Sequence, residues 1–296
     1  RYFMFDAEQA LVKLQPTPEA TLLQRGNVYI PPTAVSRQTT QELADLATRW
    51  LQSNVHSNGR MTYKYWPSAG RESDSNNMIR QWMATVALNK VAMKTGQSAD
   101  WKLSEKNIDY NLTQFYHEEG GHGLIEHRKQ VKLGAVALAA MALIEHPRRE
   151  KWLHYEKALQ KTIDSLWHED GSFTTFFKPK GSNRNQNFYP GETLLYWSIL
   201  YQKERNPELL RRFMKTFEYY REWHLNPKNR NPAFIPWHTQ AYYNIWKLTG
   251  NKELKEFVYT MNDWLLGVQE WSVNSPFPDT QGRFYDSSRP FGPPHS

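Results

Sequence analysis

Acidic side chains that could act in catalysis lie in the polar loops of this chain and at the starts of its apolar helices. The clearest case is the segment 185–197, where a polar loop ends and an apolar helix begins with Pro190 and Glu192 in its first turn. Proline is tolerated there because the first helical N–H groups have no partner within the helix, and a carboxylate complements the positive end of the helix dipole. Glu192 could therefore face a reaction centre or simply cap its own helix.

Two carboxyl groups beside one groove, one protonated and one ionised, are the minimum needed to cleave a glycosidic bond. We select Glu192 and Asp74 as catalytic candidates because each lies at or just before the start of an apolar helix. Asp74 could also be an N-cap, and the other acidic residues could belong to solvated loops and turns. The candidate carboxylates are Asp74, Glu118, Glu119, Glu126, Asp170, Glu192 and Asp279.

A second chemistry, removal of a proton next to a carboxylate, needs a tyrosine or histidine base and a group that neutralises the carboxylate. Tyr189 and His238 are the candidate bases, each at or near the start of an apolar helix. Arg80 lies one turn inside another such helix, where a cation needs either a buried ion pair or a substrate carboxylate as its partner. His238 could equally be a structural histidine.

Neither a metal nor a cofactor is predicted. The histidines and glutamates between His117 and His127 lack the helical spacing of a zinc site, and two glycines interrupt them. The chain has no cysteine, and it contains no phosphate-binding loop, dinucleotide fingerprint or nucleophile elbow.

Charge and aromatic content favour an anionic carbohydrate as the partner. The net charge is +7 and the pI about 9.3, but the basic residues are scattered rather than gathered in a stripe, so nucleic acid is not predicted. Twelve Trp and 16 Tyr suit sugar faces, although they could also fill an aromatic core. The predicted substrate-binding residues are Tyr65, Trp66, Asn77, Arg80, Trp237 and Arg283.

The sequence predicts an exported protein, in the periplasm or secreted. It has no cysteine, it begins at Arg1 as a processed chain would, and no apolar run approaches the roughly 18 residues of a membrane span.

The elements that must position these residues are helices of two alternating kinds. Mostly apolar helices are predicted to start near residues 77, 132, 189 and 236. Amphipathic helices with one apolar face lie between them, as expected if the apolar helices line an inner ring and the amphipathic ones face solvent. The connections into the apolar helices are long, so alternating helix directions would place all of these loops on one rim.

This pattern of inner and outer helices resembles the six-hairpin glycosidase superfamily over roughly residues 40–290. The segments that carry the likeness are 77–81, 132–139 and 188–195. The resemblance implies an all-α fold, an (α/α) toroid of helical hairpins with long loops on one rim. The superfamily includes glycoside hydrolases, uronate-polysaccharide lyases, sugar epimerases and the helical domain of glucuronyl C5-epimerases.

One departure concerns the completeness of the ring. A full toroid has about twelve helices built from stacked hairpins, whereas this sequence supports nine or ten. The toroid is therefore expected to be incomplete, or to be closed by a protein partner or by an N-terminal helix. We predict an irregular N-terminal segment, residues 1–40, with a short helix over 5–14, packing on a toroid domain of residues 41–296.

Together these observations predict a glycoside hydrolase that acts on an anionic oligo- or polysaccharide by paired carboxylates. Two alternatives remain open. One is a uronate polysaccharide lyase or C5-epimerase that uses Tyr189, His238 and Arg80. The other is a glycan-binding or scaffold protein without catalysis.

Overall fold

The computed structural model describes residues 8–24, 27–66, 69–271 and 281–284. The chain divides into two compact units, one formed by residues 1–46 with 265–296 and the other by residues 47–264.

A small antiparallel sheet occupies the first unit. Its strands β1 (Gln9–Lys13), β2 (Glu19–Gln24) and β3 (Asn27–Val28) follow in chain order, and the β1–β2 register runs from Gln9 opposite Leu23 to Lys13 opposite Glu19. The helix predicted over 5–14 is therefore wrong for residues 9–13. The prolines at 16 and 18 turn the chain, which lets two short segments pair as strands. That this segment packs on the toroid stays a prediction.

The remaining elements are mainly helices. Their bounds are α1 (Arg37–Ser53), α2 (Met78–Thr95), α3 (Ser98–Phe115), α4 (Leu133–Glu145), α5 (Leu153–Leu166), α6 (Tyr189–Glu204), α7 (Pro207–Leu225), α8 (Ile235–Thr249) and α9 (Lys252–Gly267). The apolar helices α2, α4, α6 and α8 begin within one residue of the predicted positions.

The core of the second unit is a row of these four apolar helices. α2 packs on α4, α4 on α6 and α6 on α8, while α3, α5 and α7 pack on the preceding helix of each hairpin. α4 is buried over its whole circumference from Leu133 to Ile144, as a helix with apolar residues on all sides must be. The predicted alternation of inner and outer helices is confirmed.

Local signals fix where the inner helices start and stop. The side chain of Asn77 accepts hydrogen bonds from the backbone N–H groups of Ile79 and Arg80, which caps α2. Pro190 occupies the first turn of α6. Gly96 and Gly250 end α2 and α8 in the left-handed conformation, which glycine adopts without strain.

The long connection into α4, which the sequence predicts to be a loop, forms most of an antiparallel sheet over residues 117–131. Strands β6 (Tyr116–Glu119), β7 (His122–His127), β8 (Gln130–Lys132) and β9 (Phe176–Lys178) lie in that order, and a separate pair joins β4 (Tyr65–Trp66) to β5 (Arg71–Glu72). Gly120 and Gly121, both at positive φ, link β6 to β7 in a two-residue turn, where glycine is preferred. The predicted loop is wrong because cross-strand pairing organises these polar residues.

Among the helices that the structure describes, none combines the length and apolar character that a bilayer crossing would need.

Candidate active site

The starts of the four inner helices meet at one end of the second unit. Gly134, in the first turn of α4, lies against Glu192 and Tyr189 of α6, and Gly191 of α6 lies against Trp237 and His238 of α8. The charge of Arg80, in the first turn of α2, acts on Glu192 and Tyr189 as well. The structure thus brings together four of the residues selected from the sequence (Arg80, Tyr189, Glu192 and His238).

Glu192 is a buried carboxyl group whose Oε2 atom has no hydrogen-bond partner among the described residues. Only 2% of the residue is exposed. Burial raises the pKa of Glu192 to about 8, although the nearby positive charge of Arg80 lowers that pKa in part. The group is therefore mainly protonated at neutral pH and can donate a proton.

Two glycines make the close packing of these helix starts possible. A Cβ atom on Gly134 would overlap Glu192 Oε2 and approach Tyr189 Cδ1 to 2.6 Å. A Cβ atom on Gly191 would lie 2.7 Å from His238 Nδ1. Real Cβ atoms do not tolerate such contacts, so any larger residue would push the candidate side chains away from their positions. These glycines were not selected from the sequence, and only their location in the first turn of an apolar helix hinted at a role.

Tyr189 is buried, and its hydroxyl oxygen accepts a hydrogen bond of 3.0 Å from Asn185 Nδ2. Burial raises the pKa of Tyr189 to about 12, and the carboxyl group of Glu192 adds to this effect. Tyr189 is therefore a neutral phenol in the resting protein. In this state it is a hydrogen-bond donor rather than a base.

His238 is fully buried and held in one tautomer. Its Nδ1–H donates to the carbonyl oxygen of Phe234 at 2.8 Å, and the imidazole stacks on the Phe234 ring with centroids 3.5 Å apart. Nε2 is left as a buried acceptor with no partner in the described part of the chain. Burial lowers the pKa of His238 to about 3, so the ring is neutral.

Arg80 is exposed, so the alternative of a buried ion pair is wrong, and a substrate carboxylate as its partner stays a prediction. Met78 and Ile79 take the buried positions of this turn, so the Arg80 side chain projects outward. Its Nη1 lies 3.6 Å from the sulfur of Met83. No carboxylate within the described residues pairs with it, which leaves the guanidinium free to meet a ligand.

Asp74 lies in the loop before α2, exposed and without a hydrogen-bond partner among the residues that the structure describes. The alternative that Asp74 caps α2 is wrong, because Asn77 takes that position. Asn77 uses its side-chain oxygen for the cap and lines a cavity beside the helix start. Its predicted contact with substrate stays a prediction.

The other described candidate carboxylates are already engaged. Glu118 accepts from Tyr116 and His154 at 2.6 Å each. Glu119 and Glu126 pair with Lys178, and Glu126 also pairs with His117. Asp170 accepts from the backbone of Ser172. Asp279 lies outside the described residues. Of the six described candidates, only Glu192 and Asp74 lack a bonded partner within this part of the chain.

The predicted sugar-binding aromatic residues differ in exposure. Tyr65 and Trp66 form the strand β4 and are 50% and 48% exposed, which suits stacking on a sugar face. Trp237 is half-buried beside Gly191. Arg283 belongs to the first unit. The substrate-binding role of these residues stays a prediction.

No metal-binding group of three or more histidines or acidic residues occurs among residues 8–24, 27–66, 69–271 and 281–284. His117 and Glu126 lie on adjacent strands of the sheet and form an ion pair of 3.4 Å.

Solved structures share this architecture at low sequence identity. A glycoside hydrolase family 76 α-mannanase from Bacteroides thetaiotaomicron matches with a TM-score of 0.62 at 13% identity, covering 83% of this chain and 71% of that one. A sugar epimerase from a ruminal bacterium matches with a TM-score of 0.60 at 13% identity, covering 80% and 72%. Cellobiose 2-epimerase from Spirochaeta thermophila matches with a TM-score of 0.61 at 10% identity, covering 83% and 74%.

The chain has the (α/α) toroid fold, as the sequence resemblance predicted, and the all-α class is confirmed. No protein-family model and no curated protein sequence matches it. The fold is shared by hydrolases and epimerases, so the reaction has to be argued from the site itself.

Proposed function

We propose that this protein is a carbohydrate-active enzyme, a glycoside hydrolase that cleaves an anionic oligo- or polysaccharide at the end where the inner helices start. The observation that carries this proposal is the buried carboxyl group of Glu192. Its pKa of about 8 keeps it protonated at neutral pH, as a general acid for glycoside cleavage must be. The neighbouring folds, which include a mannanase and sugar epimerases, support a carbohydrate substrate.

In this proposal Glu192 gives its proton to the oxygen of the departing sugar as the glycosidic bond breaks. Asp74, exposed and without a bonded partner among the described residues, is the second carboxyl group, which activates water or attacks the anomeric carbon. The separation of the two carboxyl groups in the substrate complex would then decide between inversion and retention.

Unpaired positive charge favours an anionic substrate. Arg80 acts electrostatically on Glu192, and Arg184 acts on the adjacent Tyr189. Neither guanidinium has a carboxylate partner within the described residues, and a sugar carboxylate would supply one. The net charge of +7 also favours an anionic substrate, because it attracts negative charge over a longer range.

A second candidate, a C5-epimerase or uronate lyase, is favoured by the free Nε2 atom of His238. This atom is a buried acceptor in a fixed tautomer, and its imidazole ring lies beside Gly191, the residue before Glu192. The pKa of about 3 makes His238 a weak base in the resting protein, which is why hydrolysis is the first proposal.

The test compares the wild type with Glu192→Gln and, as a matched control, Glu118→Gln on an acidic polysaccharide. Hydrolysis creates new reducing ends without ultraviolet absorbance, whereas elimination leaves a conjugated double bond. We expect reducing ends from the wild type and the control and a loss of about 100-fold or more in Glu192→Gln. Full turnover by Glu192→Gln, or unsaturated products, would reject Glu192 as the hydrolytic acid.

We also propose that the protein is exported and that a protein partner closes the helical ring. The cysteine-free composition supports an exported location. Closure of the helical ring by a protein partner would be tested by a mass measurement of the native assembly.

A further inference from the structure

A cavity of about 240 Å³ lies beside the candidate active site, between the starts of α2 and α4 and the β7–β8 hairpin. Its walls come from two stretches that are remote in sequence, the start of α2 and the continuous segment from β7 to the start of α4, and the second stretch supplies the basic side chains. The residues that line it are Asn76, Asn77, Met78, Ile125, His127, Arg128, Gln130, Lys132 and Ala135.

The basic residues of this cavity are close enough to affect one another. The pKa of His127 is lowered first by burial and then by the charges of Arg128 and Lys132. The pKa of Lys132 is lowered by burial and by the charge of Arg184. Cations placed this closely repel each other, so an anion between them would relieve the repulsion.

No carboxylate of the described chain neutralises this group. The acidic residues of the neighbouring strands are paired elsewhere, with Glu119 and Glu126 both bound to Lys178. Arg128, Lys132 and Arg184 form no ion pair with any residue in the described ranges. A basic cluster that the protein leaves unpaired beside a cavity is suited to binding an anionic ligand.

The positions of these cations are set by the backbone. Arg128 occupies the two-residue turn between β7 and β8, at φ 52°. Lys132 pairs with Phe176 across the sheet, and the Arg184 guanidinium lies 5.5 Å from the centre of the Phe176 ring. The hydroxyl of Thr175 donates to the carbonyl oxygen of Arg184 at 2.6 Å, which ties Arg184 to the residue just before β9.

The start of α4 adds a further attraction for negative charge. Lys132 is the residue before the helix, and its side chain forms no cap with the first N–H groups. Ala135, in the first turn, lines the cavity. The N–H group of Leu133 donates to the carbonyl oxygen of Thr175 at 3.0 Å, and the positive end of the helix dipole still favours an anion.

We propose that this cavity is a subsite for the carboxylate of a uronic acid residue, held by Lys132 and Arg128 with support from Arg184. Arg184 and Arg80 both act on Tyr189, so the subsite adjoins the residues proposed for bond cleavage. The inference rests on the proposed action on carbohydrate and specifies its substrate class as uronate-containing glycans rather than neutral ones.

The test measures binding of glucuronate, glucose and inorganic sulfate by calorimetry at constant ionic strength. We expect glucuronate to bind the wild type and glucose to bind at least about tenfold more weakly. Equal binding of sulfate and glucuronate would assign the cavity to anions in general and reject the sugar subsite. Absence of glucuronate binding to the wild type would reject it too.

Three variants assign the binding to the cavity. Lys132→Gln and Arg128→Asn should each weaken glucuronate binding about tenfold. Lys129→Asn, in the same turn but not lining the cavity, should leave it unchanged. Arg128 is exposed, so its variant is expected to fold even if Lys132→Gln does not. Equal affinity in Arg128→Asn and the wild type would overturn the assignment.

Glu192→Gln separates this inference from the proposed reaction. We expect Glu192→Gln to lose hydrolysis and to keep glucuronate binding. Glucuronate binding by a wild-type protein that hydrolyses no acidic polysaccharide would support the subsite and reject the hydrolase. Hydrolysis of neutral glycans alone would support the enzyme and reject the subsite.

Discussion

Oε2 of Glu192 occupies the space that a side chain on Gly134 would need, so the carboxyl group lies directly on the first turn of α4. We expect Gly134→Ala to displace both Glu192 and Tyr189, because a Cβ atom would also come within 2.6 Å of the Tyr189 ring. Overpacking of this kind costs about 1–3 kcal/mol in the free energy of unfolding. Activity should fall at least about tenfold, because a misplaced acid no longer reaches the leaving oxygen.

A matched control for this variant is Gly267→Ala. Gly267 is also in a helix, but a Cβ atom there would meet nothing within 4 Å. Its thermal unfolding and activity should match those of the wild type. Equal stability and activity of Gly134→Ala would show that the Glu192 carboxyl group moves freely and is not held by α4.

The buried acid also makes the stability of the protein depend on pH. The pKa of Glu192 rises from 4.5 in the unfolded chain to about 8 in the folded protein, so the folded state holds its proton more strongly. Stability is therefore lost as the pH increases from about 4.5 to about 8. At about 1.4 kcal/mol for each unit of pKa, the loss has an upper limit of roughly 5 kcal/mol.

Glu192→Gln removes this titration while keeping the shape of the side chain. We expect the variant to be more stable than the wild type at pH 9, by roughly 2–5 kcal/mol, and close to it at pH 5. Urea unfolding at the two pH values measures the difference, with Glu118→Gln as an exposed control. A stability difference that is the same at both pH values would contradict a raised pKa for Glu192.

His238 has the opposite effect on the acid side. Burial lowers its pKa from 6.5 to about 3, so below pH 6.5 the unfolded chain binds a proton that the folded protein excludes. Stability therefore falls as the pH drops from about 6.5 towards 3, and by pH 4 this residue accounts for roughly 3 kcal/mol. His238→Phe should keep the ring stacking on Phe234 and lessen this acid dependence.

The measurement is the free energy of unfolding of His238→Phe and wild type between pH 7 and pH 4. The variant is expected to start somewhat less stable at pH 7, since the hydrogen bond from Nδ1 to Phe234 is lost. An exposed histidine variant, His154→Phe, serves as the control for removal of an imidazole and should not lessen the loss of stability towards pH 4. Parallel curves for wild type and His238→Phe would show that His238 does not titrate as a buried group.

The helical part of the fold was predictable because its signals are local. α4 is apolar on every side, so it had to be an inner helix, and the first turn of α6 contains the proline and carboxylate that mark a helix start. The sheet β6–β9 was not predicted, because its pairing joins Lys132 to Phe176 across 44 residues. The two-glycine turn at 120–121 was a usable local signal for its first hairpin.

The site residues at the helix starts could be selected from the sequence, whereas the packing between those helices could not be predicted. Glu192 could be selected because a carboxylate in the first turn of an apolar helix is visible in the sequence. That its oxygen lies on Gly134 depends on how α4 and α6 pack, which no local pattern encodes. The exposure of Arg80 was missed for a related reason, since the face of α2 that is buried against its neighbours includes Met78 and Ile79 but not Arg80, and this depends on tertiary packing.

The alkaline limit of activity provides a sharp test of the link between Arg80 and Glu192. If Glu192 is the general acid, kcat/KM should fall above about pH 8 as the group loses its proton. The positive charge of Arg80 lowers the pKa of Glu192, so Arg80→Gln should move this limit to higher pH even though the variant binds an anionic substrate less well. Lys94→Gln, at the other end of α2, removes the same charge without this contact and should leave the limit unchanged. A shift of the alkaline limit to lower pH in Arg80→Gln, or an equal shift in both variants, would mean that Arg80 does not act on Glu192. The role of Arg80 would then be confined to substrate binding.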